Sequence, residues 1–147
     1  MPGEDMKGAV RGLNEALVKM DLEKLVSPYA EDAVLATPEG RFEGKQKIRQ
    51  YWNWQFGLAS ELKSTETEFH MVVEGNKLAA EHIIEATMKN GMKWSAPISC
   101  LYEFSDGAIK LHRMTFDRLT IARQAAKGWL PKKIVNSVVG QMEKGLR

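Results

Sequence analysis

The spacing of apolar residues changes from the helical repeat to alternation after Phe56, and this change limits the folds that the chain can adopt. Before that point, apolar residues recur at helical spacing in three segments, which predicts helices over 9–20, 22–29 and 45–56. After it, apolar and polar residues alternate in runs at 65–74, 78–88, 93–104 and 109–116, as expected of strands. Helices followed by strands predict an α+β domain.

Short turn motifs separate the predicted strands. Gly75-Asn76, Asn90-Gly91 and Asp106-Gly107 are dipeptides typical of tight hairpin turns. Consecutive strands are therefore predicted to pair as an antiparallel meander. Residues 30–44 are expected to turn the chain, with a short apolar run at Ala33 to Ala36.

Composition narrows the class of protein. The 147 residues are 44% hydrophobic, which predicts one globular domain over residues 1–147. The net charge of +2 and the lack of a basic block with interleaved aromatics argue against nucleic-acid partners. No apolar run approaches the roughly 20 residues that cross a bilayer, no basic leader opens the chain, and Cys100 has no second cysteine to pair with. We expect a cytoplasmic protein without a transmembrane segment.

His82 is the polar member of an otherwise apolar strand face that runs from Leu78 to Met88. A buried imidazole can act as a base or a ligand contact near neutral pH, but a core histidine bonded to a backbone carbonyl is the commoner case. The alternation assigns no face to His70 or His112. No element shows two histidines and an acid at metal-ligand spacing, so no metal site is predicted.

The last predicted strand ends at Asp117. Desolvation in an apolar pocket would raise the pKa of this carboxyl and suit it to acid/base chemistry. The alternative is structural, because a plausible helix follows and aspartate is a favoured N-cap residue. Arg113 shares the parity of Asp117, but apolar residues on both sides of the strand leave the inward side open.

Three motifs in order resemble the SnoaL-like polyketide cyclases of the nuclear transport factor 2-like superfamily. They are Tyr29-Ala30-Glu31-Asp32-Ala33-Val34, Gly44-Lys45-Gln46-Lys47-Ile48, and Phe104-Ser105-Asp106-Gly107-Ala108-Ile109 leading to Phe116-Asp117. The resemblance covers residues 6–124. It implies a cone-shaped domain in which a curved antiparallel sheet wraps the N-terminal helices and encloses a pocket, usually in a homodimer.

The resemblance also bears on the chemistry. It points Asp117 inward, at the place of the cyclase acid. Leu13, Thr37 and Cys100 occupy the approximate places of the tyrosine and the two acids that ketosteroid isomerase-like relatives use, so steroid isomerisation by that set of residues is not expected. Such folds host many unrelated functions, including noncatalytic ones.

We therefore expect a cofactor-independent acid/base enzyme, of cyclase, isomerase or hydrolase type, acting on a small hydrophobic substrate in an apolar pocket. The contrasting hypothesis is a noncatalytic module for ligand binding or dimerisation. Asp117 and His82 are the predicted catalytic residues. The predicted pocket-lining residues are mostly aromatic, namely Trp52, Trp94, Cys100, Tyr102, Tyr29 and Arg113.

The C-terminal segment carries its own helical pattern. Apolar residues from Ile134 to Leu146 follow one stripe after Pro131, which predicts a helical extension of the domain over 125–147. This helix could pack outside the domain, cover the pocket mouth or, less favourably given its few basic residues, touch a membrane surface.

Overall fold

The computed structural model describes residues 2–145, and it departs from the predicted order of helices and then sheet because two strands precede the third helix. The described residues form twelve elements: α1 (Gly3–Val18), α2 (Leu22–Val26), β1 (Tyr29–Thr37), β2 (Gly40–Glu43), α3 (Lys45–Leu58), β3 (Ala59–Glu66), β4 (Val72–Glu74), β5 (Lys77–Met88), β6 (Lys93–Ser105), β7 (Ala108–Thr115), α4 (Arg118–Ala125) and α5 (Trp129–Met142). The predicted α+β class is confirmed.

The strands form one sheet in the order β2-β1-β7-β6-β5-β3, with β4 beside one end of β5. The predicted meander is confirmed for β5, β6 and β7, which pair antiparallel in sequence. The expected antiparallel sheet needs one correction: the sheet is mixed, because β1 pairs with β7 in parallel. The short apolar run at Ala33 to Ala36 belongs to β1, within the segment that is predicted to turn the chain. The predicted strand over 65–74 was also wrong, because β3 ends at Glu66 and β4 begins at Val72.

Helices α1 and α3 lie against the concave side of the sheet and bury one face each. The buried side of α1 carries Met6, Val10, Leu13 and Ala16, spaced three or four residues apart as the helical repeat requires. In β5 and β6 the buried residues alternate, as the sequence predicted. Each large side chain buried in this way contributes about 1.5–3 kcal/mol relative to an exposed one. This burial fixes which strand faces line the interior.

An irregular register in β7 reverses the alternation of its faces. Phe104 pairs with Ile109 whereas Glu103 pairs with Leu111, so Lys110 is an extra residue between the two pairs. Ile109 and His112 are therefore both buried although they are three residues apart. The shift places His112 inside and turns Arg113 to the outer face, where it is exposed.

The C-terminal helices α4 and α5 cover little of the structure formed by α1 to β7. In α4, the Gln124 side chain accepts from the Ser95 backbone N–H at 2.8 Å and donates to the Ser95 carbonyl at 2.7 Å. Helix α5 contains no buried residue, and Trp129, at 74% exposure, begins an open apolar stripe. Leu146 and Arg147, which the predicted extension included, lie outside the described residues. Among residues 2–145, no helix is long and apolar enough to span a membrane.

Candidate functional site

A cavity of about 330 Å³ lies between the helices and the concave side of the sheet. Its wall is mainly aliphatic and aromatic, with contributions from α1, α3, α4 and four strands. The apolar wall includes Leu13, Leu17, Trp52, Leu62, Ile84, Met88, Trp94, Ile98, Tyr102, Met114, Phe116 and Ile121. A cavity of this size and lining suits a small apolar molecule held by a few polar contacts.

His82 lies in the cavity wall and is fixed by a polar side chain from α1. The Asn14 amide nitrogen lies 3.1 Å from His82 Nε2 and donates to the Val10 carbonyl at 3.1 Å, while the Asn14 oxygen accepts from Ser64 Oγ at 3.4 Å. These contacts fix the amide orientation, so Asn14 donates to Nε2 and the imidazole proton lies on Nδ1. Burial lowers the pKa of His82, against the opposing charge of Glu66. The ring is therefore neutral at pH 7.

His112 forms a second buried polar group in the wall. Its Nδ1 lies 2.7 Å from the hydroxyl of Tyr29, and its ring stacks on Tyr102 with centroids 4.3 Å apart. Its Nε2 is buried and has no hydrogen-bond partner among the described residues. Burial lowers the pKa of His112 to about 3, so this imidazole is neutral at physiological pH.

The predicted pocket residues divide into two groups. The structure places Trp52, Trp94, Cys100 and Tyr102 in the cavity wall, together with His82. Tyr29 lies behind the wall as the partner of His112, and Arg113 lies on the outer face of β7, so neither of these two borders the cavity.

Asp117 lies outside the cavity and caps α4. Its carboxylate accepts from the Leu119 backbone N–H at 2.8 Å and from the Thr120 hydroxyl at 2.6 Å. The hydrogen bonds from Thr120 hold the pKa of the Asp117 carboxyl below its usual range. The side chain is exposed, and the structure does not bring it together with His82. This geometry matches the capping alternative.

Comparison with known proteins identifies the family to which this domain belongs. The profile of the family described as "SnoaL-like domain" matches residues 10–112, which contain the helices and strands that form most of the cavity. The chain belongs to the SnoaL-like domain family. No curated protein matches its sequence significantly.

Solved structures support the fold of this SnoaL-like domain. A hypothetical protein from Catenulispora acidiphila with a ketosteroid isomerase-like fold, in complex with trimethylamine, has a TM-score of 0.72 and 14% identity over 80% of this chain and 91% of its own. An NTF2-like protein of unknown function from Burkholderia pseudomallei has a TM-score of 0.75 and 17% identity over 86% and 100%. An LEH-like epoxide hydrolase from M. tuberculosis has a TM-score of 0.71 and 15% identity over 95% and 96%. At such identities the likeness establishes the fold alone.

The cavity of this SnoaL-like domain also has a polar rim that sequence reasoning missed. Tyr51 donates to Glu39 at 3.3 Å and accepts from Gln55 at 2.9 Å, and Arg118 donates to the Pro38 carbonyl at 3.4 Å. Burial raises the pKa of Tyr51 above its usual range. The helical spacing of Tyr51 and Gln55, one turn apart, is a signal that the two share a face.

Cys100 of the SnoaL-like domain is not an activated nucleophile. Burial raises the pKa of the Cys100 thiol to about 12, so it remains protonated and is a poor nucleophile. Within residues 2–145, no group of three or more histidine, cysteine or acidic side chains is arranged to hold a metal ion.

Proposed function

We propose that this SnoaL-like domain binds a small, largely apolar molecule in its cavity. The observation that carries the proposal is the cavity of about 330 Å³, whose wall joins aromatic and aliphatic side chains to two neutral histidines. Burial of apolar ligand surface against this wall supplies the binding free energy, while the few polar groups orient the ligand.

Fluorescence titration with the neutral probe N-phenyl-1-naphthylamine tests binding. Ala86→Phe places a large ring in the cavity, whereas Glu85→Phe places the same ring on the outer face of the same strand. We expect saturable binding to the wild type and to Glu85→Phe, with binding to Ala86→Phe reduced at least tenfold. Equal binding by the two variants, with both folded, would contradict the cavity as the binding site.

A second candidate function is cofactor-independent acid/base catalysis on that ligand. The observation that favours it is His82, a neutral imidazole in the cavity wall whose Nε2 is held by Asn14 and whose proton lies on Nδ1. Such a donor can polarise a substrate carbonyl oxygen and stabilise the enolate that forms when water or hydroxide removes the adjacent carbon-bound proton. The epoxide hydrolase from M. tuberculosis shows that an enzyme can be built on this fold. Asp117 is not included, because its position outside the cavity favours the noncatalytic capping role.

Proton exchange on a simple ketone tests this candidate. The protein should accelerate exchange of the acidic protons of 2-tetralone in D₂O, measured by NMR. His82→Gln should slow the exchange at least tenfold, the low end for a positioned acid/base group, whereas His70→Gln, at an exposed position, should not. The wild-type rate should fall as pH falls through the lowered pKa of His82, because protonation at Nε2 would break the hydrogen bond from Asn14 that positions the ring. Exchange no faster than in buffer would contradict catalysis of this kind.

We further propose a homodimer through the outer face of the sheet. Val72, Ala79 and Leu101 lie side by side across β4, β5 and β6, and Val72 and Leu101 are 61% and 51% exposed. Burying such a row in a symmetric contact removes it from water. Sedimentation should show a dimer at micromolar concentration and a monomer for Leu101→Glu, with Ser105→Glu as the control. A wild-type monomer would contradict the proposal.

We also propose a cytoplasmic location. A free thiol at Cys100, buried and without a second cysteine, is compatible with a reducing compartment. Fluorescence microscopy of a tagged full-length chain tests the location, and signal confined to the cell envelope would contradict it.

A further inference from the structure

The unpaired nitrogen of His112 is the least explained polar atom in the cavity wall. The side chain is only 1% exposed and lines the cavity, yet Nε2 has no hydrogen-bond partner among the described residues. Its other nitrogen is turned toward Tyr29, which does not line the cavity. Buried polar groups without hydrogen-bond partners are uncommon in folded proteins, and each one requires an explanation.

The Tyr29 contact determines what Nε2 can bind. Burial raises the pKa of Tyr29, so its hydroxyl keeps its proton and needs an acceptor, and His112 Nδ1 at 2.7 Å is the acceptor that the described residues offer. The phenol proton therefore points at Nδ1. The single imidazole proton then lies on Nε2.

We infer that His112 is a ligand-binding residue whose Nε2–H donates a hydrogen bond to a carbonyl oxygen of the molecule in the cavity, with Tyr29 as the positioning residue. The inference rests on the proposed function and names the class of its ligand, a neutral compound with a ketone, aldehyde or quinone oxygen.

The surroundings of His112 favour a carbonyl over other oxygen groups. Tyr102 stacks on the ring, and Met114 and Cys100 also line the wall. Arg118, the cation in the cavity lining, donates instead to the Pro38 carbonyl, so a carboxylate at His112 would lose its hydration without a cation bonded to it. A hydroxyl would accept the hydrogen bond but bring a donor of its own into apolar surroundings. A carbonyl only accepts, and it forms its hydrogen bond away from bulk water, where such bonds are stronger.

A matched pair of probes tests the inference. 2-Acetylnaphthalene carries a carbonyl, whereas 2-isopropenylnaphthalene replaces that oxygen with a methylene group of similar shape. By calorimetric titration, the wild type should bind the ketone roughly 2- to 10-fold more tightly than the hydrocarbon, as expected for one neutral hydrogen bond. Equal binding of both probes overturns the carbonyl site but leaves the proposed binding function intact. Binding of neither overturns both.

Two variants and one spectroscopic measurement assign the preference to His112. His112→Phe retains an aromatic ring and should bind both probes equally; if it fails to fold, Tyr29→Phe, which removes the partner of Nδ1, should reduce the preference. Nitrogen-15 NMR of the wild type should show a protonated Nε2 whose signal shifts with the ketone and not with the hydrocarbon. In Tyr29→Phe the proton should redistribute between the two nitrogens. A wild-type proton on Nδ1, or a preference unchanged in the folded variants, overturns the inference.

Discussion

The body of the domain and its C-terminal helices are stabilised differently, although both carry amphipathic patterns. In the body, from α1 to β7, apolar stripes meet across the interior, and Leu35, Ile48 and Ile109 are completely buried. In α4 and α5, which span Arg118–Ala125 and Trp129–Met142, no residue is buried. An apolar stripe therefore predicts a helix or a strand in both regions, but only in the body does it predict a packed core.

Core truncation should produce the largest difference between the two regions. Leu35→Ala in β1 removes a fully buried side chain and should lower the free energy of unfolding by about 2–5 kcal/mol. Ile134→Ala in α5 removes a side chain that is 57% exposed and should change that energy by less than about 0.5 kcal/mol. Urea denaturation measures both, and similar losses would contradict the contrast.

Acid should destabilise the body through His112. The folded-state pKa of about 3 lies below the ordinary value of 6.5, so the unfolded chain binds the proton more readily. Stability is then complete above pH 6.5 and declines toward pH 3, with a slope approaching 1.4 kcal/mol per pH unit for one proton, roughly. His112→Phe should flatten this slope, whereas His70→Gln at an exposed position should leave it unchanged. Parallel pH profiles for wild type and His112→Phe would argue against a buried neutral ring.

The junction between the two regions should respond moderately to loss of its cap. Asp117→Ala removes the acceptor for Leu119 and Thr120 and should lower the thermal midpoint by less than Leu35→Ala does. Asp117→Asn retains a capping oxygen and should lie near the wild type. Probe binding in the cavity should be unchanged in both variants. A selective loss of binding in Asp117→Asn would indicate that Asp117 contributes to the binding site.

Removal of α5 should have the smallest effect. A chain ending at Lys127 lacks an element without buried residues, so the free energy of unfolding should change by less than about 0.5 kcal/mol. Its circular dichroism should lose helical signal in proportion to the deleted segment. A large loss of stability would instead indicate that α5 packs against a second copy of the chain.

Sequence patterns predicted the elements that are periodic over a sufficient length. Alternation identified β5 and β6, including the inward direction of His82 and Tyr102. It failed for β1, whose apolar run is short and whose parallel partner lies far along the chain. Parallel strands are not joined by a tight turn, so no turn motif in the sequence indicates that they pair.

The site was predicted less completely than the fold because it depends on local irregularities. A one-residue register shift in β7 decides that His112 points inward, and simple alternation cannot reveal such a shift. The resemblance predicts that Asp117 points into the pocket. In the structure its carboxylate instead caps the helix that follows it. Its competing role as a cap was visible in the sequence, and the choice between the two required the path of the chain.

The parallel contact between β1 and β7 has a consequence for the order in which the protein folds during synthesis. Tyr29 and His112 are 83 positions apart, so β1 and β2 can form a hairpin long before β7 leaves the ribosome. Until then, the other edge of β1 offers unpaired backbone groups to any neighbouring strand. At a translation rate of about 5–20 residues per second, this interval lasts several seconds. The nascent chain thus depends on its last strand to close the sheet, and slow translation before Ala108 would prolong its exposure to aggregation.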